Sequence, residues 1–522
     1  MHPGPEKVLE TYSVLETSWI LNGKGEEGDK KFILSPYKKI MAKRPNVVMI
    51  VADQWRFDSV GYSGNTAVKT PNIDFLSEEG VSFSNAYCQN PVCVPSRSSF
   101  LTGWYPHTNG FRTMHHLMDD DQPNILKTLK QSGYHVYWGG RNDFLKISAD
   151  SSKYFSTRDD QYAEFFARYT KQKSKKNDGD LKKTEYEYSH YKGIREDINN
   201  IDAKQIRNAM EFLEEGKYGE EPFCIYLALS LPHPPYEIEK GWFDLIDKEE
   251  IPDPVRLTEE EWERKPSIIR GIHDNQKLYN WSDEELKQMK HVYYAMGTKL
   301  DYHIGELVNV LKEKELYDDT IFVFFSDHGD YTGDYELAEK NQNTFEDLLT
   351  RVPLVIKPAR STELKPRKTD ALVELIDVQA TIHDLLNIQP QHTQFGKSLK
   401  NVLAGSDKHR DVVFSEGGRL EGETHCMDAG HSPANEYWAR TTEQEKMPQH
   451  TKAMMIRDEK YKFVYRLYEE DEFYDMRADP LEKNNQIQNP EFQQLIVKYK
   501  ERMLRHFFET GDVVPFKQDK RF

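Results

Sequence analysis

Three short polar clusters, each just past an apolar run, carry the side chains best suited to chemistry: Asp53-Gln54, Pro232-His233-Pro234 and Asp327-His328. Two carboxylates, one amide oxygen and one imidazole make a plausible donor set for a hard divalent cation. Oxygen ligands suit calcium, magnesium or manganese, and a single nitrogen among them does not suggest zinc. Taken separately, the pairs have ordinary readings. An Asp after a strand is often a cap or turn residue, and Asp-His pairs are common. Position favours the chemical reading, because sites in open α/β sheets form beyond the carboxyl ends of strands.

The elements that must place these clusters alternate along the chain. Asn46 to Ala52 is a continuous apolar run ending at Asp53, the pattern of a buried parallel strand. Thr70-Pro71 opens a helix, with Thr as cap and Pro first, and Gly80 closes it. Val81 to Phe83 and His135 to Trp138 read as strands, and Asn124 to Gln131 and Ile201 to Glu214 as helices. Phe223 to Leu229 is a second long buried strand. Asp283 to Lys314 is a long helix capped by Ser282, and it feeds the strand Thr320 to Phe325. Val352 to Ile356 is a further strand. This alternation predicts an α/β fold: a large mixed, mostly parallel sheet with helices on both faces.

The pattern changes after about residue 400. Met454 to Arg457, Tyr461 to Tyr465 and Glu472 to Asp475 are short strands at hairpin spacing, and Pro490 to Glu509 is an amphipathic helix. They predict a small C-terminal α+β subdomain with a short antiparallel sheet. The expected division is an N-terminal extension over 1–44, a main domain over 45–400 and the subdomain over 401–522. Charged, polar stretches at 151–199 and 237–281 read as insertions that shape a cleft.

Composition excludes several classes. A formal net charge of -17 argues against a nucleic-acid binder, which needs clustered Lys and Arg. The four cysteines, Cys88, Cys93, Cys224 and Cys426, fit neither a zinc site nor a disulfide framework. No stretch approaches a membrane span. The opening residues do not read as a secretory signal, so a cytoplasmic location is expected.

The run Cys93-Val94-Pro95-Ser96-Arg97-Ser98-Ser99-Phe100-Leu101-Thr102-Gly103 sharpens the reading. It resembles the signature of the type I, formylglycine-dependent sulfatases of the alkaline phosphatase superfamily, Cys-x-Pro-Ser-Arg followed by Leu-Thr-Gly. Asp53 at the end of the first strand, Thr70-Pro71-Asn72-Ile73-Asp74, Ser326-Asp327-His328-Gly329-Asp330, Arg351-Val352-Pro353-Leu354 and the terminal Phe473-Tyr474-Asp475 resemble the family in the same order. The likeness spans about residues 45–512.

That resemblance implies a chemistry. A maturation enzyme would oxidise Cys93 to formylglycine, whose aldehyde hydrates to a geminal diol. One diol oxygen attacks sulfur and the alcohol leaves. The second hydroxyl then loses its proton and sulfate is expelled, a release that plain Ser or Cys cannot achieve. The family pattern implies metal ligands at Asp53, Gln54, Asp327, His328 and residue 93, with calcium the first expectation and manganese or magnesium the alternatives. It implies that Arg97 holds the diol and that His233 and Lys340 bind the ester and assist the leaving group, with His233 as the candidate general acid.

Two departures stand out. Gln54 replaces the second of two adjacent acids, a set that also resembles the phosphonate monoester hydrolases. Gly139-Gly140-Arg141-Asn142-Asp143 stands where the family usually has Gly-Lys-Trp-His. Arg141 can still grip a sulfate oxygen, and Asp143 is either catalytic, an orienting partner for Arg141, or a contact to a substrate hydroxyl. His107, His115, His116, Arg419 and His425 could line the pocket without a catalytic role. The expected activity is hydrolysis of a small sulfate monoester of a sugar or of an aryl or alkyl alcohol. A phosphonate monoester or phosphodiester hydrolase and an inactive sulfated-glycan-binding protein are the alternatives.

Overall fold

Alternate residues of the first strand face opposite layers of core, which is why its sequence is apolar throughout. Val47, Met49 and Val51 pack in one apolar cluster with Phe100, Leu126 and Val378, whereas Val48, Ile50 and Ala52 pack in another with Ile73, Ile206 and Leu300. Helices therefore cover both faces of the sheet, as predicted. The computed structural model describes residues 44–162, 164, 191–198, 200–428, 437–518, 520 and 521. The expected extension over 1–44, Arg44 apart, and most of the expected insertion over 151–199 lie outside them.

In chain order the strands are β1 Asn46–Asp53, β2 Val81–Tyr87, β3 His135–Gly140, β4 Thr157–Arg158, β5 Tyr191–Ile194, β6 Phe223–Pro232, β7 Tyr236–Ile238, β8 Thr320–Ser326, β9 Arg351–Val352, β10 Leu354–Lys357 and β11 Arg367–Glu374. The large sheet has the order β11-β2-β10-β8-β1-β6-β3-β4, with β9 also on β2. β10 runs against β8 and β2, and β9 against β2, while the other pairs are parallel. The sheet is thus mixed and mostly parallel.

Four further strands, β12 Val413–Gly417, β13 Ala453–Arg457, β14 Tyr461–Arg466 and β15 Glu472–Asp475, form an antiparallel sheet in that order. The helix Gln493–Thr510 seats Ile496, Tyr499 and Met503 against Phe463 and Phe473 of this sheet. Tyr105 and Ile376 of the larger body join the same cluster. The region 237–281 holds β7 and the helices Lys240–Phe243, Glu259–Trp262 and Ser267–Gln276.

Several local expectations are corrected. The expected strand Val352 to Ile356 is two strands broken at Pro353, which has no N–H for the ladder. The strands β11 and β12 are missing from the sequence reading, because RKTDALVE and VFSEG lack a continuous apolar run. The helix Pro71–Glu79 is not capped by the Thr70 side chain. Thr70 Oγ1 accepts from Gly61 N instead. The cap comes from Asp301, whose carboxylate accepts from Asn72 N at 3.2 Å and Ile73 N at 2.8 Å. The long helix Asp283–Glu313 does carry its predicted Ser282 cap, reinforced by Glu285.

Candidate active site

β1 lies between β6 and β8, with Asp53 opposite Pro232 and Ala52 opposite Ser326. Parallel neighbours end at one edge, so the three polar clusters leave the sheet side by side. Gln54 turns sharply there, with φ 68°. That left-handed turn is held by Gln54 N donating to Asp327 Oδ1 at 3.1 Å and by Tyr293 OH donating to Gln54 O at 2.6 Å.

Cys93 is the first residue of the helix Cys93–Thr102, every residue of which is buried. Its Sγ lies 3.2 Å from His328 Nε2 and 3.6 Å from Asp53 Oδ1. One helical turn on, Arg97 spans two carboxylates, with Nε donating to Asp327 Oδ2 and Nη2 to Asp53 Oδ2, each at 2.8 Å. Ser96 Oγ donates to Asp327 O at 2.6 Å and fastens the helix to the loop after β8.

Asp53, Cys93, Asp327 and His328 are all buried and offer ligand atoms within 4.8 Å of one another. His328 Nδ1 donates to Gly329 O at 2.9 Å, which leaves the Nε2 lone pair facing Cys93. Burial, with Lys340 nearby, holds that imidazole below its ordinary pKa despite Asp327, so it is neutral and fit to ligate. Burial opposes ionisation of Asp53, but the Arg141, Arg97 and Lys340 cations outweigh it, and Asp53 is held far below the usual carboxylate range. Two carboxylate oxygens, a neutral imidazole and residue 93 fit a hard divalent cation. Cys93 Sγ marks the place of the oxygen that an oxidised residue 93 would present. Burial and Asp53 push the thiol itself well up, so the unmodified cysteine is a poor nucleophile.

Lys340 is buried on the other side of the pocket. Its Nζ donates to His233 Nε2 at 2.9 Å and to Gln54 Oε1. His233 Nδ1 donates to Pro234 O at 2.6 Å, so Nε2 is an acceptor and the shared proton belongs to Lys340. Burial and then Lys340 hold His233 well below its ordinary pKa. Burial opposes the Lys340 charge, and the Glu339 and Asp53 carboxylates support it and keep the ammonium.

Arg141 Nη1 donates to Asp53 Oδ2 at 2.6 Å, and Arg141 Nε lies 3.0 Å from Asp143 Oδ2. Asp143 also stands 3.8 Å from Arg97 Nε. The sites predicted from sequence therefore converge on one pocket. His107 pairs with Glu416 and meets Thr510, and Arg419 donates to Leu420 O and Gln444 O. His115 lies 3.6 Å from Asp428, His116 contacts Thr113, and His425 packs against His116.

Sequence reasoning passed over two participants. Asp330, quoted only as the end of a motif, accepts from Gln54 Nε2 at 2.5 Å and from Tyr236 OH at 2.7 Å. Tyr437 OH lies 3.4 Å from His233 Nε2, and Lys340 sits over its ring. Asp330 could have been flagged from its motif. Tyr437 carries no local signal.

Comparison with known proteins agrees with this geometry. A family model described as Sulfatase matches residues 45–388. The chain belongs to the sulfatase family, within the alkaline phosphatase superfamily, and is a sulfuric ester hydrolase. It is 27% identical over 477 residues to an ulvan-active sulfatase of Formosa agariphila, covering 90% of this chain and 82% of that protein. Its fold resembles a phosphonate monoester hydrolase of Agrobacterium radiobacter with a TM-score of 0.71 at 21% identity, covering 90% of this chain and 96% of that one. A protein solved with its substrate D-glucosamine-2-N,6-O-disulfate matches with a TM-score of 0.67 at 21% identity, over 90% of this chain and 98% of that one. Among the described residues no helix is long and apolar enough to cross a membrane.

Proposed function

We propose that this sulfatase hydrolyses a small sulfate monoester, of a sugar or of an aryl or alkyl alcohol, with formylglycine made from Cys93 by a maturation enzyme. The observation that carries this is the placement of Cys93 at the head of a buried helix, 3.2 Å from His328 Nε2 and above the Arg97 clamp. The sulfated-sugar substrate of one structural neighbour supports a carbohydrate. Asp53, Asp327, His328 and residue 93 would hold a divalent cation, calcium first and manganese or magnesium next, whereas Gln54, expected as a further ligand, turns its Oε1 to Lys340 and its Nε2 to Asp330. When bound, that cation would hold sulfate oxygens and lower the pKa of the attacking hydroxyl.

The remaining work falls to the chain's own residues. Arg97 holds Asp53 and Asp327 in register. Arg141, which donates to Asp53, would grip a sulfate oxygen. Lys340 carries the proton that the departing alkoxide needs, and His233 Nε2 takes up its other hydrogen bond. Asp143 orients Arg141 through its Nε.

A second reading, phosphonate monoester or phosphodiester hydrolysis, is favoured by Gln54 and by the structural likeness to such an enzyme. Rates on 4-nitrophenyl sulfate and on phenyl phosphonate decide between them. The sulfate is expected to be faster in enzyme made with a maturation partner, and a dominant phosphonate rate would reject the proposal. Mass spectrometry of the Cys93 peptide tests the nucleophile, and an unmodified cysteine in such material would favour an inactive glycan binder. Chelation is expected to abolish turnover and lower Tm, and calcium is expected to restore both.

A further inference from the structure

Four side chains form a hydrogen-bonded line whose direction is set at one end. Asp330 is buried, and both its oxygens are turned to donors. Its Oδ1 accepts from Thr332 N at 2.6 Å, and its Oδ2 from Tyr236 OH at 2.7 Å and Gln54 Nε2 at 2.5 Å. The Gln54 amide must therefore turn its NH2 to Asp330. Its Oε1 consequently faces Lys340 Nζ, which donates to it. A second Lys340 N–H is then directed to His233 Nε2 at 2.9 Å, and His233 Nδ1 closes the line on Pro234 O.

We infer that Asp330 is a positioning residue that fixes the orientation of the Gln54 amide and, through it, aims Lys340 at His233. An amide has two nearly isosteric orientations, and only its partners choose between them. With the amide reversed, NH2 would face the Lys340 ammonium, two donors opposed in a buried site, and Lys340 would swing away from His233. A glutamine in a place where an acid would need no such choice thus depends on the carboxylate behind it. The inference rests on the proposed leaving-group role of Lys340 and His233.

The test is Asp330→Asn, which keeps the shape and can donate to Gln54 Oε1. In matured enzyme kcat/KM on an alkyl sulfate is expected to fall about 10- to 100-fold. On 4-nitrophenyl sulfate, whose leaving group needs no proton, the loss is expected to be smaller. The double variant Asp330→Asn/Gln54→Glu restores an acceptor toward Lys340 and a donor behind it, and is expected to recover the alkyl rate. The 15N shift of His233 Nε2, read in the full chain without turnover, is expected to move toward a free lone pair in Asp330→Asn and to return in the double variant. Equal losses on both esters, an unmoved His233 resonance, or a folded double variant no better than the single one would overturn the inference. Should the single variant not fold, the His233 shift of the double variant decides: a wild-type position supports the inference and a displaced one rejects it. Wild-type enzyme inactive on both sulfates would instead reject the functional reading, leaving the His233 shift to judge Asp330.

Discussion

Arg141 Nη1 donates to Asp53 Oδ2 at 2.6 Å, and the same oxygen takes Arg97 Nη2 at 2.8 Å. Two guanidinium groups on one oxygen leave Asp53 Oδ1 turned to Cys93 and His328. The carboxylate is thus divided, one oxygen for the protein's cations and one for the reacting pocket.

Arg97 is the less replaceable of the two. Its fork bridges Asp53 and Asp327, which a single ammonium cannot do. Arg97→Lys is expected to lower kcat about 100-fold. Arg97→Ala leaves two buried carboxylates without their shared cation and is expected to destabilise the fold by about 3–5 kcal/mol. Steady-state kinetics and urea unfolding read the two effects.

Asp143 and Arg141 are partly exposed, and their pair is weaker. If Asp143 only orients Arg141, Asp143→Ala should raise KM about 2- to 5-fold with kcat little changed. Asp143→Asn should lie between. A loss of kcat at constant KM would instead make Asp143 part of the chemistry. Arg141→Ala should cost more than Asp143→Ala, because Arg141 also binds Asp53.

Asp301 supplies from the long helix the cap that the helix Pro71–Glu79 lacks. Asp301→Ala leaves two helix N–H groups without an acceptor and is expected to cost about 1–3 kcal/mol by denaturant unfolding. Thr70→Val leaves only Gly61 N without its side-chain acceptor, one N–H against the two of Asp301, and should cost less.

Buried imidazoles set an acid limit. Burial and the nearby Arg419 push His450 from 6.5 to about 3, and burial pushes His383 to about 4. Well above pH 6.5, toward pH 8, neither folded nor unfolded chain protonates them appreciably, and their contribution is intact. As pH falls through 6.5 the unfolded chain gains protons that the folded chain refuses, so stability declines toward pH 4. By pH 5.5 the loss is about 1 kcal/mol for each. His450→Leu should flatten the fall of Tm between pH 7 and 5, and an unchanged slope would exclude His450 as a source.

Read alone, the residues revealed the chemistry where it is local. The Cys93 to Gly103 run, the apolar strand ending at Asp53 and the Asp327-His328 pair each hold their signal within a dozen positions. Strands buried on both faces are legible as apolar runs, so β1, β6 and β8 were found. β11 and β12 were not, since partly exposed or polar strands carry no such run.

Pairings between distant positions belong to the tertiary structure. No spacing tells that Gln54 would be held by Asp330, that Lys340 would meet His233, or that Asp301 would cap a helix 228 positions away. Hydrogen-bond direction and buried-charge compensation depend on which groups the fold brings within about 3 Å. The residues of Cys93 and Arg97 thus announced a sulfatase by themselves. How Asp53 divides its oxygens, and which way the line from Asp330 to His233 points, only the packed sheet edge decided.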